Sequence, residues 1–178
     1  MKYGYLKGDG IIMAGENITL GEGVFSIGTK DIGLTRGGGQ FVVEREYRQV
    51  NADVDRGPVK GRIRVTGSVA RLTLNALEII VADLAKLFPA TKVTGGKFTG
   101  KQDIEDADYN DTVTWTGRTM DGKACVITLE NAINLGNLDW TMADKDEIVQ
   151  QVVLTAAYEE QNRQGEEEPW DVEWPDAV

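Results

Sequence analysis

The residues of this sequence whose types and spacing could do chemistry are mainly carboxylates. Glu44 and Glu46 lie two residues apart, and paired carboxylates can perform general acid and base catalysis. A second acidic group between residues 103 and 111 offers oxygen ligands of the kind that calcium prefers. It comprises Asp103, Glu105, Asp106, Asp108 and Asp111. This run lacks the glycine and the terminal glutamate of an EF-hand loop, and nothing distinguishes Glu44 and Glu46 from ordinary surface carboxylates. We therefore expect solvated acidic surfaces, no enzyme activity, no cofactor and no metal site.

Other reactive groups are few. The 178 residues contain no histidine, which excludes histidine-based triads and histidine-ligated zinc. Cys125 is the single cysteine, so we expect a small core residue and not an activated nucleophile. Gly37, Gly38 and Gly39 lead into a strand, whereas the glycines of a P-loop precede a helix. We interpret these glycines as a turn or as a close approach between backbone segments.

Length and charge favour one soluble domain made in the cytoplasm, because no apolar run is long enough for a signal peptide or a membrane span. The formal net charge is −10, and residues 159–178 contain eight acidic residues and one basic residue. Basic side chains gather in the centre of the chain, but acidic residues lie among them. The sequence therefore lacks the clustered positive charge of a nucleic-acid binder.

Two central segments, residues 40–50 and 61–72, alternate apolar and charged side chains in the manner of half-buried strands. We expect them to pair antiparallel. If their register sets Glu46 opposite Arg64 and Arg48 opposite Arg62 or its neighbours, the charges on this face nearly cancel. The charged positions on these strands are Glu44, Glu46, Arg48, Arg62 and Arg64.

The connection between these strands, residues 51–60, is too long for a tight hairpin turn and too polar to fold against its own domain. Two interpretations remain open. The loop is either an arm that orders against a neighbouring subunit or a flexible hairpin tip. The candidate interface residues are Asn51, Asp53, Asp55, Arg56, Pro58 and Lys60.

The other elements are mostly strands around one helix. Three-and-four spacing of apolar residues predicts a helix over residues 74–88, with Thr73 as its cap and Pro89 beyond its end. Asp121-Gly122 joins two strand-like runs, residues 112–120 and 123–132, as a hairpin. Short strands are expected at 24–27, 97–99, 135–140 and within 146–158.

The ends of the chain are predicted to be extended. Residues 1–32 form an N-terminal arm apart from the short strand within them, and residues 159–178 form an acidic C-terminal tail. The tail contains Trp170 and Trp174, so it is either disordered or a docking segment. The single domain between these ends spans residues 33–158.

The central part of the chain resembles the major tail (tail tube) proteins of long-tailed bacteriophages with non-contractile tails. The resemblance lies in a Gly-Xaa-Thr-Arg-Gly-Gly-Gly entry at residues 33–39, a charged strand, an Asp-Xaa-Gly-Pro-Val turn at residues 55–59, and a helix after the second strand. Asp55 lies one residue nearer to the glycine than the family pattern has it. The order of these elements carries the resemblance more than any single motif.

The resemblance implies a mainly β fold, sandwich-like or barrel-like, with one flanking helix. It also implies hexameric rings that stack into a hollow virion tail tube after assembly in the host cytoplasm. The implied partners are further copies of the chain, the tape measure protein and tail-end proteins, and DNA passes through the tube during ejection without specific binding. The alternative is a β-sandwich module that binds carbohydrate, with the four tryptophans as a sugar platform, or calcium. An enzyme ranks third.

Overall fold

Over the residues that the structure describes, the protein is mainly β with one short α-helix, as the sequence predicts. The computed structural model describes residues 19–78, 80–163, 165 and 167–174. Residues 1–18, which make up most of the predicted N-terminal arm, lie outside the described residues. The strands are β1 Thr19–Ile27, β2 Lys30–Asp31, β3 Thr35–Gln49, β4 Ile63–Ala76, β5 Thr91–Thr94, β6 Lys97–Gly100, β7 Asn110–Thr119, β8 Ala124–Asn134, β9 Gln150–Thr155 and β10 Trp170–Glu173.

One large sheet builds the body, in the order β2-β1-β7-β8-β9-β4-β3, and β10 adds to β8. β8 pairs with β7 along most of its length and with β9 only at Ile133 and Asn134, so it joins two layers that face each other. The core between the layers is formed by side chains such as Leu72, Leu129 and Leu154. β5 and β6 form a separate small hairpin.

The hairpin of β7 and β8 confirms the prediction made from Asp121-Gly122. Gly122 has a φ of 85°, a left-handed conformation that glycine adopts without steric cost. Val113 lies directly opposite Leu129, and both side chains are fully buried. Cys125 is also buried in this hairpin, as predicted.

The predicted helix is correct only in its second half. The α-helix, α1, spans Val81–Leu87, whereas Leu74 and Ala76 belong to β4. Leu72, Leu74 and Ala76 are buried at every second position, which is the period of a strand paired on both sides, here by β3 and β9. Cross-strand pairing therefore prevails over the three-and-four spacing that residues 74–80 also fit.

Two asparagines hold the C-terminal end of α1. Asn110 donates its side-chain N–H to the Lys86 carbonyl at 2.9 Å, and Asn134 donates to the Leu87 carbonyl at 2.7 Å. Carbonyls in the last turn of a helix lack intrahelical partners, so β7 and β8 satisfy them from the core side. Leu84 on the same helix is buried against the sheet.

The ends of the described chain belong to the sheet more than the sequence predicts. β1 pairs with β7 over most of its length, so residues 19–27 are part of the body and not of a separate arm. β10 pairs with β8, so residues 170–173 of the acidic tail form a docking segment. The strand predicted at 135–140 is wrong, because these residues form an irregular connection. β9 lies within the segment predicted for it, and β6 covers the predicted residues 97–99 and extends to Gly100.

Candidate functional site

Residues 44–69 form a two-stranded ribbon in which most residues are exposed. It consists of the outer halves of β3 and β4 and the loop between them. The two strands are antiparallel, as predicted, but their register is not the one that would neutralise the charged face. Glu46 lies opposite Gly67, and Arg48 lies opposite Arg64. A bulge at Thr66 shifts β4 by one residue, so the cancellation of charge expected from Glu46 and Arg64 is absent from this pair of strands.

One side of the ribbon continues the core-facing side of the sheet. Because side chains alternate along a strand, Tyr47 shares a side with Phe41, which packs against the core. Tyr47 lies opposite Val65, and Gln49 lies opposite Ile63. The exposed fractions are 65% for Tyr47, 52% for Val65 and 48% for Ile63. The apolar side of the sheet thus extends beyond the body layer that should cover it.

Glu168 marks the point where the body ends and the ribbon begins. Its Oε2 accepts hydrogen bonds from Ser68 Oγ at 3.0 Å, Arg45 at 3.2 Å and Trp170 Nε1 at 2.5 Å. Burial opposes ionisation of the Glu168 carboxyl, but these three donors outweigh it and hold its pKa below the ordinary value. The Trp170 ring packs on Phe41 at a centroid separation of 5.6 Å. The C-terminal segment is therefore fastened to the base of the ribbon.

The loop at the ribbon tip is ordered around Asp55. The Asp55 carboxylate accepts the backbone N–H of Ala52 at 2.7 Å and the Arg62 guanidinium at 2.8 Å. The Asp55 backbone N–H in turn donates to the Ala52 carbonyl. A short polar side chain that bonds its neighbouring backbone is typical of a defined turn. The exposed candidate interface residues around it are Asn51, Asp53, Arg56, Pro58 and Lys60, together with Val54, which is 88% exposed.

The opposite side of the ribbon is charged, and its outer part is basic. Glu44 is exposed and forms an ion pair with Arg71. Arg48 and Arg64 lie directly opposite one another, and the ion pairs found among the described residues include neither of them. Like charges at directly opposed positions of a sheet destabilise the pairing. The structure thus brings together the predicted residues of this face but leaves two guanidinium groups outside the ion pairs found among the described residues.

An acidic groove of about 420 Å³ lies between the end of β9 and the approach to β10. Tyr158 lies in it and is 37% exposed. Burial and the nearby Glu168 carboxylate raise the pKa of the Tyr158 hydroxyl. The carboxylates that line the groove are Glu130, Glu159, Glu167 and Glu168. The sequence predicts that Glu159, Glu167 and Glu168 belong to an extended tail, and no sequence pattern singles out Glu130.

The three glycines at the start of β3 form an irregularity in the strand and a close packing contact. Gly37 and Gly38 have φ values of 83° and 75° and form the irregularity that precedes regular pairing with β4. A Cβ at Gly39 would lie 2.5 Å from both the Thr73 carbonyl oxygen and the Phe25 ring. The interpretation as a close backbone approach is confirmed at Gly39, whereas Gly37 and Gly38 form an irregularity within β3 and not a turn.

The acidic run at residues 103–111 is partly structural. Asp108 is buried and forms an ion pair with Lys101 at 2.9 Å. Burial disfavours its charge, but the Glu105 backbone N–H and Lys101 more than compensate, so the pKa of Asp108 is lowered. Within the described residues, no group of three or more acidic or cysteine side chains is placed to hold a metal ion.

The tryptophans are distributed through the body. Trp115, Trp140 and Trp170 pack against the core, and Trp174 is 52% exposed. These positions favour packing over a shared platform for a sugar ring.

Among the described residues no helix has the length and apolar character that a membrane span requires.

No sequence pattern indicates that the apolar side of the ribbon or the Glu168 junction belongs to a site. Ile63 and Val65 were recognised as alternating with Arg62 and Arg64, but alternation does not tell whether the apolar side is covered. The pairing of Tyr47 with Val65 depends on the bulge at Thr66, which no sequence pattern marked.

The chain matches no protein-family model, and comparison with curated proteins gives no match.

Proposed function

We propose that this chain is a structural subunit that assembles with copies of itself into stacked rings, as a virion tail tube of a long-tailed bacteriophage. The observation that carries the proposal is the uncovered apolar side of the ribbon at Tyr47, Ile63 and Val65. The hexameric ring and the phage tail are the parts that the sequence resemblance supplies. The activity is structural, and no catalytic residue is proposed.

The physical argument starts from the cost of exposing this ribbon to water. A two-stranded ribbon is marginally stable alone, and apolar side chains on one side favour a covering layer. Within the described residues β3 pairs only with β4, which leaves the other edge of a 15-residue strand open. Open edges and uncovered apolar sides are both surfaces that a second chain can use. The ribbon and the surface that receives it differ, so the contact is head-to-tail and can close into a ring.

The proposed conduit does not grip DNA. A wall with net negative charge offers no cations for phosphates to bind, and the chain carries a net charge of −10. We expect an inner wall that is neutral to acidic, and the tape measure protein and tail-end proteins as further partners. The proposed location is the virion tail, with assembly in the host cytoplasm.

Electron microscopy tests the proposal directly. Purified chain at rising concentration should form rings or tubes of constant diameter in negative stain, and sedimentation should show a matching rise in mass. A chain that remains monomeric at millimolar concentration contradicts the proposal. Stabilisation by calcium or a glycan in that monomer would favour a ligand-binding module instead.

Replacement of the ribbon tip gives the second test. Changing residues 51–60 to a Gly-Ser linker of equal length removes Val54, Arg56, Pro58 and Lys60 while leaving both strands. We expect a folded chain, with a thermal midpoint close to the wild type, that no longer assembles. Replacing the exposed residues 142–145 in the same way is the control and should leave assembly unchanged. Normal tubes from the tip variant would show that the tip is not an assembly element.

A further inference from the structure

The ribbon is positively charged although the chain as a whole is acidic. Residues 44–69 contain six basic and four acidic residues, while the complete chain has a net charge of −10. Asp55 is already paired with Arg62, and Arg45 is paired with Glu168. The exposed basic groups that remain on the outer ribbon, residues 48–64, are Arg48, Arg56, Lys60 and Arg64.

The acidic groove has the complementary character. Its exposed carboxylates, Glu130, Glu159 and Glu167, surround Tyr158 at the surface. Glu168 lines the same groove and bonds to Arg45 and Ser68, so the groove lies at the base of the chain's own ribbon. The uncovered apolar residues Tyr47 and Val65 follow directly beyond that base.

We propose that the outer ribbon of one copy docks in the acidic groove at the ribbon base of a second copy. This inference rests on the proposed self-assembly and names the two surfaces that meet. Arg48 and Arg64, which repel each other across the ribbon, gain carboxylate partners in Glu159 and Glu167 of the second copy. The apolar residue Val54 at the tip is brought at the same time toward the apolar side of the second ribbon. A second copy is the favoured partner because the chain itself presents both complementary charges.

The contact is electrostatic at its rim and therefore sensitive to salt. Exposed charges are screened beyond about 8 Å at physiological ionic strength. The concentration needed for assembly should rise as sodium chloride is raised. Complementary charge also accelerates association and excludes wrong registers, since like charges brought together are strongly unfavourable.

Charge reversal with complementation tests the inference. One variant combines Arg48→Glu with Arg64→Glu, and the other combines Glu159→Lys with Glu167→Lys. Each alone should require a concentration on the order of tenfold higher for assembly. Mixed in equal amounts, the two should assemble near the wild-type concentration, because each reversed surface then meets an opposite charge. Asp103→Lys with Asp106→Lys is the matched control and should behave as wild type. Circular dichroism and thermal melts establish that every variant is folded.

The outcomes separate this inference from the proposed function. Wild-type assembly together with full assembly of both reversed variants overturns the docking inference and leaves the self-assembling subunit intact. Assembly of the mixture no better than of either variant alone overturns it as well. A wild-type chain that never assembles overturns both.

A titration of labelled duplex DNA is the last experiment. Micromolar binding that falls steeply with salt, and that is lost in the Arg48→Glu, Arg64→Glu variant, would assign the ribbon to phosphate instead of to a second copy.

Discussion

Two hairpins of this protein have similar sequence patterns and opposite surroundings. In the hairpin of β7 and β8, Val113 lies opposite Leu129, and both side chains are fully buried. In the ribbon, Tyr47 lies opposite Val65, and the two are 65% and 52% exposed. The first pair lies under the second layer of the body, whereas the second pair lies beyond the edge of that layer. Burial thus depends on the extent of the opposite layer and not on the alternation of the strand.

The connecting turns differ in the same sense. Asp121-Gly122 closes the β7–β8 hairpin within a few residues and leaves its strands inside the body. The ribbon instead ends in a polar loop held by Asp55. A hairpin with a longer, ordered and charged tip presents residues that can contact another chain, because the monomer does not use them for packing. The difference separates a hairpin that stabilises the fold from one that is available for assembly.

The largest expected effect on stability concerns the residue that joins the two hairpins. Trp170 pairs with Leu129 through β10 and packs on Phe41 at the inner end of the ribbon. Trp170→Ala removes a half-buried indole, and we expect the free energy of unfolding to fall by about 3 kcal/mol. Chemical denaturation measures this loss, with Trp174→Ala, at a more exposed position, as the control. A loss below about 0.5 kcal/mol for Trp170→Ala would mean that the acidic segment is not part of the folded body.

The same substitution in each hairpin tests the comparison itself. Val113→Ala leaves a cavity in the core, and we expect a loss of about 2 kcal/mol in the free energy of unfolding. Val65→Ala should change it by less than about 0.5 kcal/mol, because the side chain is half in water. The concentration required for assembly should rise more for Val65→Ala than for Val113→Ala.

Equal losses of stability from the two valine variants would contradict the division into a buried and an uncovered hairpin. Denaturant midpoints at a concentration where the chain is monomeric give the comparison. Sedimentation of the same two proteins at higher concentration gives the assembly threshold. Val65→Ala should raise that threshold while its melting curve remains close to the wild type.

The smallest effect is expected from pH at the ribbon base. The folded-state pKa of Glu168 lies below its ordinary value of about 4.5. The stabilisation that its hydrogen bonds give is therefore present above that ordinary value and is lost as the pH falls through the lowered one. We expect about 1 kcal/mol of stability to disappear over this acidic range. Asp108 acts in the same direction, since its pKa is also lowered.

Glu168→Gln isolates the contribution of this one carboxylate, because the variant retains the Asp108 ion pair. The free energy of unfolding, measured from pH 6 to pH 3, should decrease less with falling pH for the variant than for the wild type. Identical pH slopes for the two proteins would show that the Glu168 contacts with Arg45, Ser68 and Trp170 do not depend on its charge.

Local patterns were sufficient to predict most strands and the β7–β8 turn. Asp121-Gly122 restricts the backbone directly, and β-branched residues in β7 and β9 favour extended structure, so these elements were found from neighbours in sequence. The helix start was misplaced because Leu74 satisfies a helical and a strand period at once. Only the pairing of β4 with both β3 and β9 decides between them.

Most of the candidate site could not be predicted, because it depends on strand register and on contacts between residues far apart in the sequence. The charged strand residues were identified, but their opposition was not, because one extra residue at Thr66 changes every pair beyond it. The Glu168 junction joins residues 100 and more positions apart, a distance at which no spacing rule applies. The exposure of Tyr47 and Val65 likewise follows from where the opposite layer ends.

The burial of Cys125 has a practical consequence for studying this chain. The thiol is 1% exposed, and burial raises its pKa, so it remains protonated and shielded from reagents at neutral pH. It is also the single cysteine of the sequence. A cysteine introduced by Val54→Cys at the ribbon tip would therefore accept a fluorophore or spin label selectively in the native protein. Energy transfer between labelled copies could then follow ribbon contacts as they form, without removal of the natural thiol.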